Sequence, residues 1–379
     1  MKIIICKAAR NSRIPVILGS SHAPLYLPLL YTTLQMRTNA FNTKKIHVHA
    51  IFELYKFHES KLINLEKLII QGKFTPIINS LDEFIQTTGI NRYNDRLHAI
   101  RTFLIWNIRR YSKFPERFDG IVTLKIDSYV CSRKSSRNDD FKSLLDKEVE
   151  LIRAAISIGS PGNPFLKDYQ FRNKLIFELL LETGIRLGEL LKLKVNDFAR
   201  IEDNYYMKID NYTSDIEDNR SELPSNKNTN SFRTVAVSQG IYNMAHQYVV
   251  KHRRFLKRTQ KMNLDHSYLF VSELGNPMSI RSVQQIFEKI KRHVKSSNSK
   301  YKGFKVTAHS LRHTFAFRFL KFLTEAGVDL ERAQDELRTI GGWNVSSAMP
   351  VRYARRYIRD LANDHNLRRL NQAYQNNYK

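Results

Sequence analysis

Apolar residues recur every three or four positions along much of this chain, which is the spacing of one face of an α-helix. The segments TKKIHVHAIFELYKFHESKLI and RLHAIRTFLIWNIRRYSKF both show it. The apolar positions are Ile46, Ala50, Leu54 and Phe57 in the first, and Leu97, Ile100, Leu104, Ile108 and Tyr111 in the second. After a short extended start around KIIICK and IPVIL, we therefore predict a mostly helical amino-terminal part.

Further along, DYQFRNKLIFELLLETGIRLGELLKLKVNDF predicts a long apolar helix, a break at Thr183-Gly184 and a short second helix that starts at Ile185 or Arg186. The segments NYYMKID and FRTVAVS are rich in β-branched and aromatic residues, which favours strands. A polar loop, residues 211–231, lies between them, and more helices follow SYLFVSELGNPMS. The pattern predicts a mainly α-helical fold with a small β-sheet.

One segment interrupts this pattern. Residues 131–142, CSRKSSRNDDFK, are polar and rich in serine, without apolar periodicity. The next segment, SLLDKEVELIRAAI, opens with a serine suited to capping a helix and then shows helical spacing. We therefore expect two domains, residues 1–140 and 141–379.

Charge narrows the choice of partners. The chain carries 62 Lys and Arg against 36 Asp and Glu, a formal net charge of +26, so it repels itself unless an anion lies alongside. Nucleic acid is the leading interpretation and an anionic membrane is the rival. No stretch of about 18 apolar residues could span a membrane. The start MKIIICKAARNSRIP lacks a signal-peptide pattern, so we expect a cytoplasmic, nucleoid-associated protein.

Composition also indicates a folded chain, since 42% of its residues are hydrophobic and 11% are aromatic. Cys6 and Cys131 are far apart and form no metal-ligand pattern, so we expect a reducing compartment and no structural zinc.

Arginines on the second helical segment could contact phosphates or face solvent. They are Arg96, Arg101, Arg109 and Arg110.

Four separated segments carry residues suited to binding phosphate. In TGIRLGELLKL, Glu189 follows Arg186 by three residues, so on a helix its carboxylate could orient the guanidinium. The alternative is an inconsequential surface ion pair. Lys227 stands in KNTNSFRTVAVS, where the alternative is a solvated loop lysine.

The other two segments follow near the end of the chain. In HSLRHTFAFRFL, His309 and Arg312 are one helical turn apart and could share one anionic ligand. A capping histidine and a surface arginine are the alternative. Trp343 and Tyr353 stand in GGWNVSSAMPVRYARRYI, where residues of these types commonly belong to the core.

Together and in this order, these segments resemble the tyrosine recombinases, the integrase family of mobile elements. That family has an arginine motif, which TGIRLGELLKL matches here, and a hairpin lysine, which KNTNSFRTVAVS supplies. Its H-x-L-R-H-T motif is matched by HSLRHTFA, its G-H or G-W pair by GGW, and its tyrosine motif by RYARR. The resemblance spans residues 143 to about 358. It implies a two-domain DNA clamp. Its parts are a helical, basic core-binding domain and a mainly α catalytic domain that holds a small antiparallel β-sheet.

The resemblance also implies the site residues, which are Arg186, Lys227, His309, Arg312, Trp343 and Tyr353. The two arginines would hold the non-bridging phosphate oxygens, and the tryptophan would add its indole N–H. The lysine would protonate the leaving 5′ oxygen, and His309 would act as an acid/base partner or an oxygen ligand. The tyrosine would form a 3′-phosphotyrosyl enzyme, which requires neither a metal nor a cofactor.

Two departures from the family pattern leave alternatives open. Trp343 and Tyr353 are one residue further apart than is usual, which keeps Tyr357 as a second candidate nucleophile. The acidic loop before Lys227 is long, which keeps Lys208 as a second candidate lysine. Lys227 is preferred because the family often has a lysine six residues before the arginine that is Arg233 here.

The resemblance implies a site-specific recombinase, and integration of a mobile element is the preferred role. Resolution of plasmid or chromosome dimers, a non-catalytic DNA-binding regulator and a type IB topoisomerase are the alternatives. The implied partners are double-stranded DNA with specific recombination sites and a homo-tetramer on paired sites. Accessory DNA-bending proteins are a further class of partner that the resemblance allows, and no membrane partner is expected. The segment LANDHNLRRLNQAYQ predicts a terminal helix that docks on a neighbouring protomer or on its own domain.

Overall fold

The structure is a computed structural model. It describes residues 1–7, 13–130, 143–210, 218, 220, 224, 232–253, 266–297, 301 and 303–377. The chain divides into two compact units, Met1–Asn138 and Asp139–Lys379. Both are mainly helical.

The first unit opens with an antiparallel hairpin and continues as helices. Strand β1 (Lys2–Lys7) pairs with β2 (Arg13–Leu18), with Lys2 opposite Leu18 and Lys7 opposite Arg13. The helices are α1 (Tyr26–Leu30), which continues as a π-helical turn over Tyr31–Gln35, α2 (Phe41–Ser60), α3 (Leu65–Ile70), α4 (Phe74–Thr88), α5 (Asn94–Tyr111) and α6 (Pro115–Asp127).

The apolar pattern of α5 is confirmed for Leu97, Ile100, Leu104 and Ile108, which are at most 1% exposed, whereas the fifth predicted position, Tyr111, is half-buried. In α2 the prediction is wrong for Ile46, which is 40% exposed. The buried stripe of α2 is centred between Ile51 and Leu54. Since successive helical residues are about 100° apart, Ile46 lies at the edge of this stripe.

Two of the four arginines on α5 form ion pairs with aspartates of the first unit. Arg101 pairs with Asp127 at 2.6 Å and Arg109 with Asp119 at 2.7 Å. The guanidinium groups of Arg96 and Arg110 lie over aromatic rings.

The second unit contains helices around a three-stranded sheet. The helices are α7 (Asp146–Ala155), α8 (Lys167–Thr183), α9 (Leu187–Lys192), α10 (Gln239–Gln247), which continues as a π-helical turn over Tyr248–His252, α11 (Ile280–Ser297), α12 (Ala308–Glu325), α13 (Leu330–Gly341) and α14 (Met349–Asn377). Strands β3 (Phe198–Ile201), β4 (Asn204–Ile209) and β5 (Arg233–Val237) form an antiparallel sheet in that order.

The sheet contains one strand that the sequence pattern did not predict. β3 has four residues, and its last three, Ala199, Arg200 and Ile201, are exposed, so it shows no alternation of buried and exposed positions. The two predicted strands are present as β4 and β5. The polar loop predicted at residues 211–231 lies almost entirely outside the described residues.

Helix α8 is buried on most of its surface, and α12 packs against α8, α13 and α14. The predicted break after α8 is present, because Gly184 ends the helix with φ +60° in the left-handed region. A Cβ atom there would also lie 2.1 Å from the ring of Phe315 on α12. Glycine therefore allows the chain to turn tightly against α12 and to place Arg186 just beyond the turn.

Candidate active site

A cleft of about 830 Å³ in the second unit is lined by residues from four chain segments. Five of the six predicted site residues line it: Arg186, His309, Arg312, Trp343 and Tyr353. Lys227 lies outside the described residues. The alternative lysine, Lys208 on β4, is not among the described residues that line the cleft, and its Nζ lies 3.1 Å from Asp210.

The backbone before α9 fixes the position of Arg186. This residue is the N-cap of α9, and its backbone N–H donates to Glu189 Oε2 at 2.9 Å. Its guanidinium donates to Glu189 Oε1 at 2.7 Å and to the Gly342 carbonyl at 2.8 Å. The pair is therefore not a surface ion pair, since the Glu189 side chain is 0% exposed and that of Arg186 is 16% exposed.

Glu189 is shared by two arginines. Arg233 on β5 donates to Oε2 at 3.0 Å and to Oε1 at 3.2 Å, and its Nε donates to the Ile340 carbonyl. Burial would raise the pKa of Glu189, but the hydrogen bonds and charges of Arg233 and Arg186 outweigh it and lower the pKa below its ordinary value of 4.5. The carboxylate thus stays ionised and ties α9, β5 and the end of α13 together.

Arg312 is almost fully buried, with 5% exposure. Its guanidinium donates to the Gly184 carbonyl at 2.5 Å and to the Gly341 carbonyl at 2.7 Å, and its centre lies 4.0 Å from that of the Trp343 ring. Burial, followed by the charge of Arg186, lowers its pKa to about 9, so the group remains charged at neutral pH. Two cations therefore face one cleft in fixed positions.

Tyr353 lies in the second turn of α14 and is 1% exposed. Its hydroxyl lies 2.6 Å from Nδ1 of His313, and its ring is 5.8 Å from that of Trp343. Burial raises the pKa of Tyr353 to about 12, although Arg312 and Arg186 oppose this. The phenol is therefore protonated at neutral pH in this arrangement.

His309 and His313 occupy successive turns of α12, and their ring centres are 4.1 Å apart. His309 is exposed and lines the cleft, whereas His313 is buried behind it. Burial, then the charges of His309, Arg312 and Arg356, lower the pKa of His313 to about 3, so its imidazole is neutral.

The second candidate tyrosine lies elsewhere. Tyr357 is 9% exposed, its ring contacts that of Phe317, and it is not among the described residues that line the cleft. Of the arginines between the two tyrosines, Arg355 is exposed and Arg356 lies over the Phe317 ring.

Two residues that complete the site received no role from the sequence. His313 was visible as the residue after Arg312, and Arg233 served only to locate Lys227. The signal that could have identified Arg233 is its position at the start of a strand next to a buried acidic partner, which requires knowledge of the tertiary structure.

Among the described residues, no group of three or more His, Cys, Asp or Glu side chains is placed to hold a metal ion, and no helix has the length and apolar character needed to cross a membrane.

Comparison with known proteins places this chain in a family. Residues 142–358 match the description of the Phage integrase family. Tyrosine recombinase XerC from Natranaerobius thermophilus is 27% identical over 240 residues, 63% of this chain and 67% of its own. Transposase A from transposon Tn554 of Staphylococcus aureus is 27% identical over 246 residues, 64% of this chain and 52% of its own length. The chain thus spans about half of that relative.

The fold is similar to that of the Tn1549 transposon integrase, solved in complex with circular intermediate DNA. The TM-score is 0.54 at 16% identity, with 87% of this chain and 94% of the other covered. This confirms the predicted fold class, a mainly α-helical chain with a small antiparallel sheet. Since the family match covers more than half of the chain, the protein belongs to the phage integrase family of tyrosine recombinases.

Proposed function

We propose that this protein is a site-specific DNA recombinase that cleaves and rejoins DNA through a 3′-phosphotyrosyl intermediate. The observation that supports this best is the cleft in which Arg186 and Arg312 lie close to Tyr353. Two fixed cations suit a phosphodiester, and a phenol beside them suits attack on its phosphorus. The second unit is the catalytic domain in this proposal, and residues 1–140 form a DNA-binding domain.

The two arginines hold the non-bridging oxygens of the scissile phosphate. A guanidinium has five N–H donors, and the bonds of Arg312 to the Gly184 and Gly341 carbonyls use two of them. Those bonds also hold the group in place before DNA arrives, so little reorganisation is needed as charge develops. Each such donor typically contributes on the order of 10²–10³ in rate. Trp343 adds its indole N–H to the same phosphate.

The chemistry conserves the phosphodiester energy. A bond forms between the Tyr353 hydroxyl oxygen and phosphorus while the bond from phosphorus to the 5′ oxygen breaks. The phenol proton passes to His309 or to solvent, and Lys227 gives the leaving 5′ oxygen its proton. His309, exposed in the cleft, acts as an acid/base partner or an oxygen ligand. Attack of a 5′ hydroxyl on the phosphotyrosyl bond then rejoins a strand and regenerates the phenol, so no ATP is consumed.

The partners are double-stranded DNA sites and further copies of this chain. The net charge of +26 supports a polyanionic partner. A homo-tetramer on paired sites is supported by α14, whose later part carries exposed apolar residues that a neighbouring protomer could cover. These are Leu361, Leu367, Leu370 and Tyr374, each at least 39% exposed. Accessory DNA-bending proteins are a further partner class.

Integration or excision of a mobile element is the biological role that we favour, because the similar proteins include the Tn554 transposase and the Tn1549 integrase. Resolution of replicon dimers is the second candidate, and similarity to XerC favours it. Two assays separate these roles. Recombination between two identical direct repeats with no other protein would favour dimer resolution, whereas joining of two different sites would favour integration.

Trapping of a covalent complex tests the proposed chemistry. The protein is incubated with nicked duplexes taken from the DNA that flanks its gene, and a protein–DNA adduct is sought on denaturing gels. Tyr353→Phe should bind DNA normally and form no adduct, whereas Tyr357→Phe should form one. An adduct that survives in Tyr353→Phe and disappears in Tyr357→Phe would transfer the role to Tyr357. Specific binding without any adduct would favour the non-catalytic regulator.

A further inference from the structure

His313 is the buried neighbour of Tyr353 to which the proposed chemistry assigns no task. Its Nδ1 lies 2.6 Å from the Tyr353 hydroxyl oxygen, and the rings are 5.5 Å apart. Both residues are buried, at 6% and 1% exposure, so this hydrogen bond is shielded from competition with water. A short, dry bond of this kind restricts where the hydroxyl can point.

The position of His313 on α12 connects it to the rest of the site. It directly follows Arg312, whose guanidinium two carbonyl oxygens hold in place. Its ring also contacts that of His309, which lines the cleft. A hydrogen bond from the nucleophile to this helix therefore places the phenol oxygen relative to the cations that bind the phosphate.

We infer that His313 is a positioning residue for the nucleophile, and that its Nδ1 accepts the hydrogen bond from the Tyr353 hydroxyl in the Nε2–H tautomer. This inference rests on the proposed function, because it assigns a task within the cleavage reaction. The imidazole holds the phenol oxygen in one place beside Arg312 and Arg186, from which it attacks phosphorus.

Positioning suits the chemistry of this pair better than removal of the proton does. Burial lowers the pKa of His313 to about 3 and raises that of Tyr353 to about 12, so the proton stays on the phenol in this arrangement. The imidazole accordingly acts as an acceptor of fixed geometry. Loss of such geometry is costly, since a displacement of about 1 Å in a reacting group can reduce a rate on the order of 10²-fold.

Two isosteric substitutions separate the hydrogen bond from the volume of the side chain. His313→Asn keeps an acceptor oxygen close to the position of Nδ1, whereas His313→Leu has the same shape without an acceptor. In single-turnover cleavage of nicked duplex by the full chain, we expect His313→Leu to lose on the order of 10²-fold in rate. His313→Asn should recover a large part of that loss. Affinity for DNA and the unfolding temperature should agree between the two variants.

A second substrate separates the nucleophile from the leaving group. Replacement of the leaving 5′ oxygen by sulfur removes the need for protonation. His313→Leu should remain slow on this substrate, because its defect lies in the attacking hydroxyl. Recovery on the sulfur substrate would instead give His313 a role towards the leaving group and overturn the inference.

A spectroscopic measurement reports the contact itself. In the ¹⁵N-histidine NMR spectrum of the full chain, the His313 signal is assigned by its loss in His313→Asn. Tyr353→Phe, which removes the hydroxyl donor, should shift the Nδ1 resonance. An unchanged resonance would show that the hydrogen bond is absent and would overturn the inference.

The wild-type protein makes the failures distinguishable. If it forms no adduct on these duplexes, the proposed function fails. If it cleaves them and His313→Leu cleaves equally fast or faster, the proposed function stands and the positioning role is wrong.

Discussion

Glu189→Gln should destabilise the second unit strongly, although the substitution replaces only one carboxylate oxygen with an amide nitrogen. The carboxylate is fully buried and accepts hydrogen bonds from Arg186 and Arg233, whose side chains are 16% and 9% exposed. Removal of the charge leaves two guanidinium groups without their shared partner. Loss of one partner of a buried pair costs about 3–5 kcal/mol. We expect the lower end, about 3 kcal/mol, because Arg186 is partly accessible to water.

Thermal unfolding followed by circular dichroism measures this cost. For a unit of this size, 1 kcal/mol corresponds to roughly 2–4 °C, so the transition should move down by about 6–12 °C. Glu150→Gln is the matched control, because Glu150 is 67% exposed and pairs with Arg153 on the surface. It should shift the transition by about 2 °C or less. A Glu189→Gln protein that unfolds within a degree of the control would refute the reasoning.

The pH dependence of the effect has a definite sign. The pKa of Glu189 is lowered in the folded protein from its ordinary value of 4.5, so the unfolded chain binds this proton more readily. The stabilisation is therefore fully present above about pH 4.5 and is lost as the pH falls through the lowered folded-state pKa. The difference between wild type and Glu189→Gln should shrink over that acidic range, and a difference that grows on acidification would contradict the assignment.

Three further outcomes follow from the charge, the lysine assignment and the terminal helix. DNA affinity should fall steeply with added salt, because each neutralised phosphate releases counterion, and a slope near zero would argue against DNA as substrate. Lys227→Ala should cleave ordinary DNA poorly and recover on the 5′-sulfur substrate, whereas equal loss on both would move the role to Lys208 or His309. Truncation after Asp360 should leave binding to a single site intact and abolish complexes of paired sites, and unchanged pairing would exclude docking of the terminal helix on a neighbour.

Local rules were sufficient for much of the fold. The apolar spacing of α5 and the turn at Gly184 depend on neighbours in sequence, so they could be read from the chain alone. β3 could not, because a strand of four residues with three exposed positions depends on its pairing with β4. Ile46 was misplaced because periodicity identifies an apolar stripe without fixing which side of it meets the core.

The residues of the candidate site also fall into two groups, those recognisable from local sequence and those that depend on tertiary contacts. Arg186 and Arg312 belong to motifs with a definite order and spacing, so the sequence could nominate them. The roles of Arg233 and His313 depend on contacts between residues 44 and 40 positions apart in the chain, with Glu189 and Tyr353. Burial of a charged or polar group is worthwhile only when its partner is present, and the sequence does not reveal that partner.

The two hydrogen bonds from Arg312 to backbone carbonyl groups also determine when the site can assemble during synthesis of the chain. Gly184 follows the end of α8 and Gly341 ends α13, so this one side chain caps the carboxyl ends of two helices that are made far apart in time. Until residue 341 has emerged and folded, Arg312 lacks one of the carbonyl groups that aim it. A chain that ends before residue 341 therefore lacks one of the two carbonyl anchors of Arg312, so the cleft that we propose to hold the phosphate takes its final form only after α13 has been made.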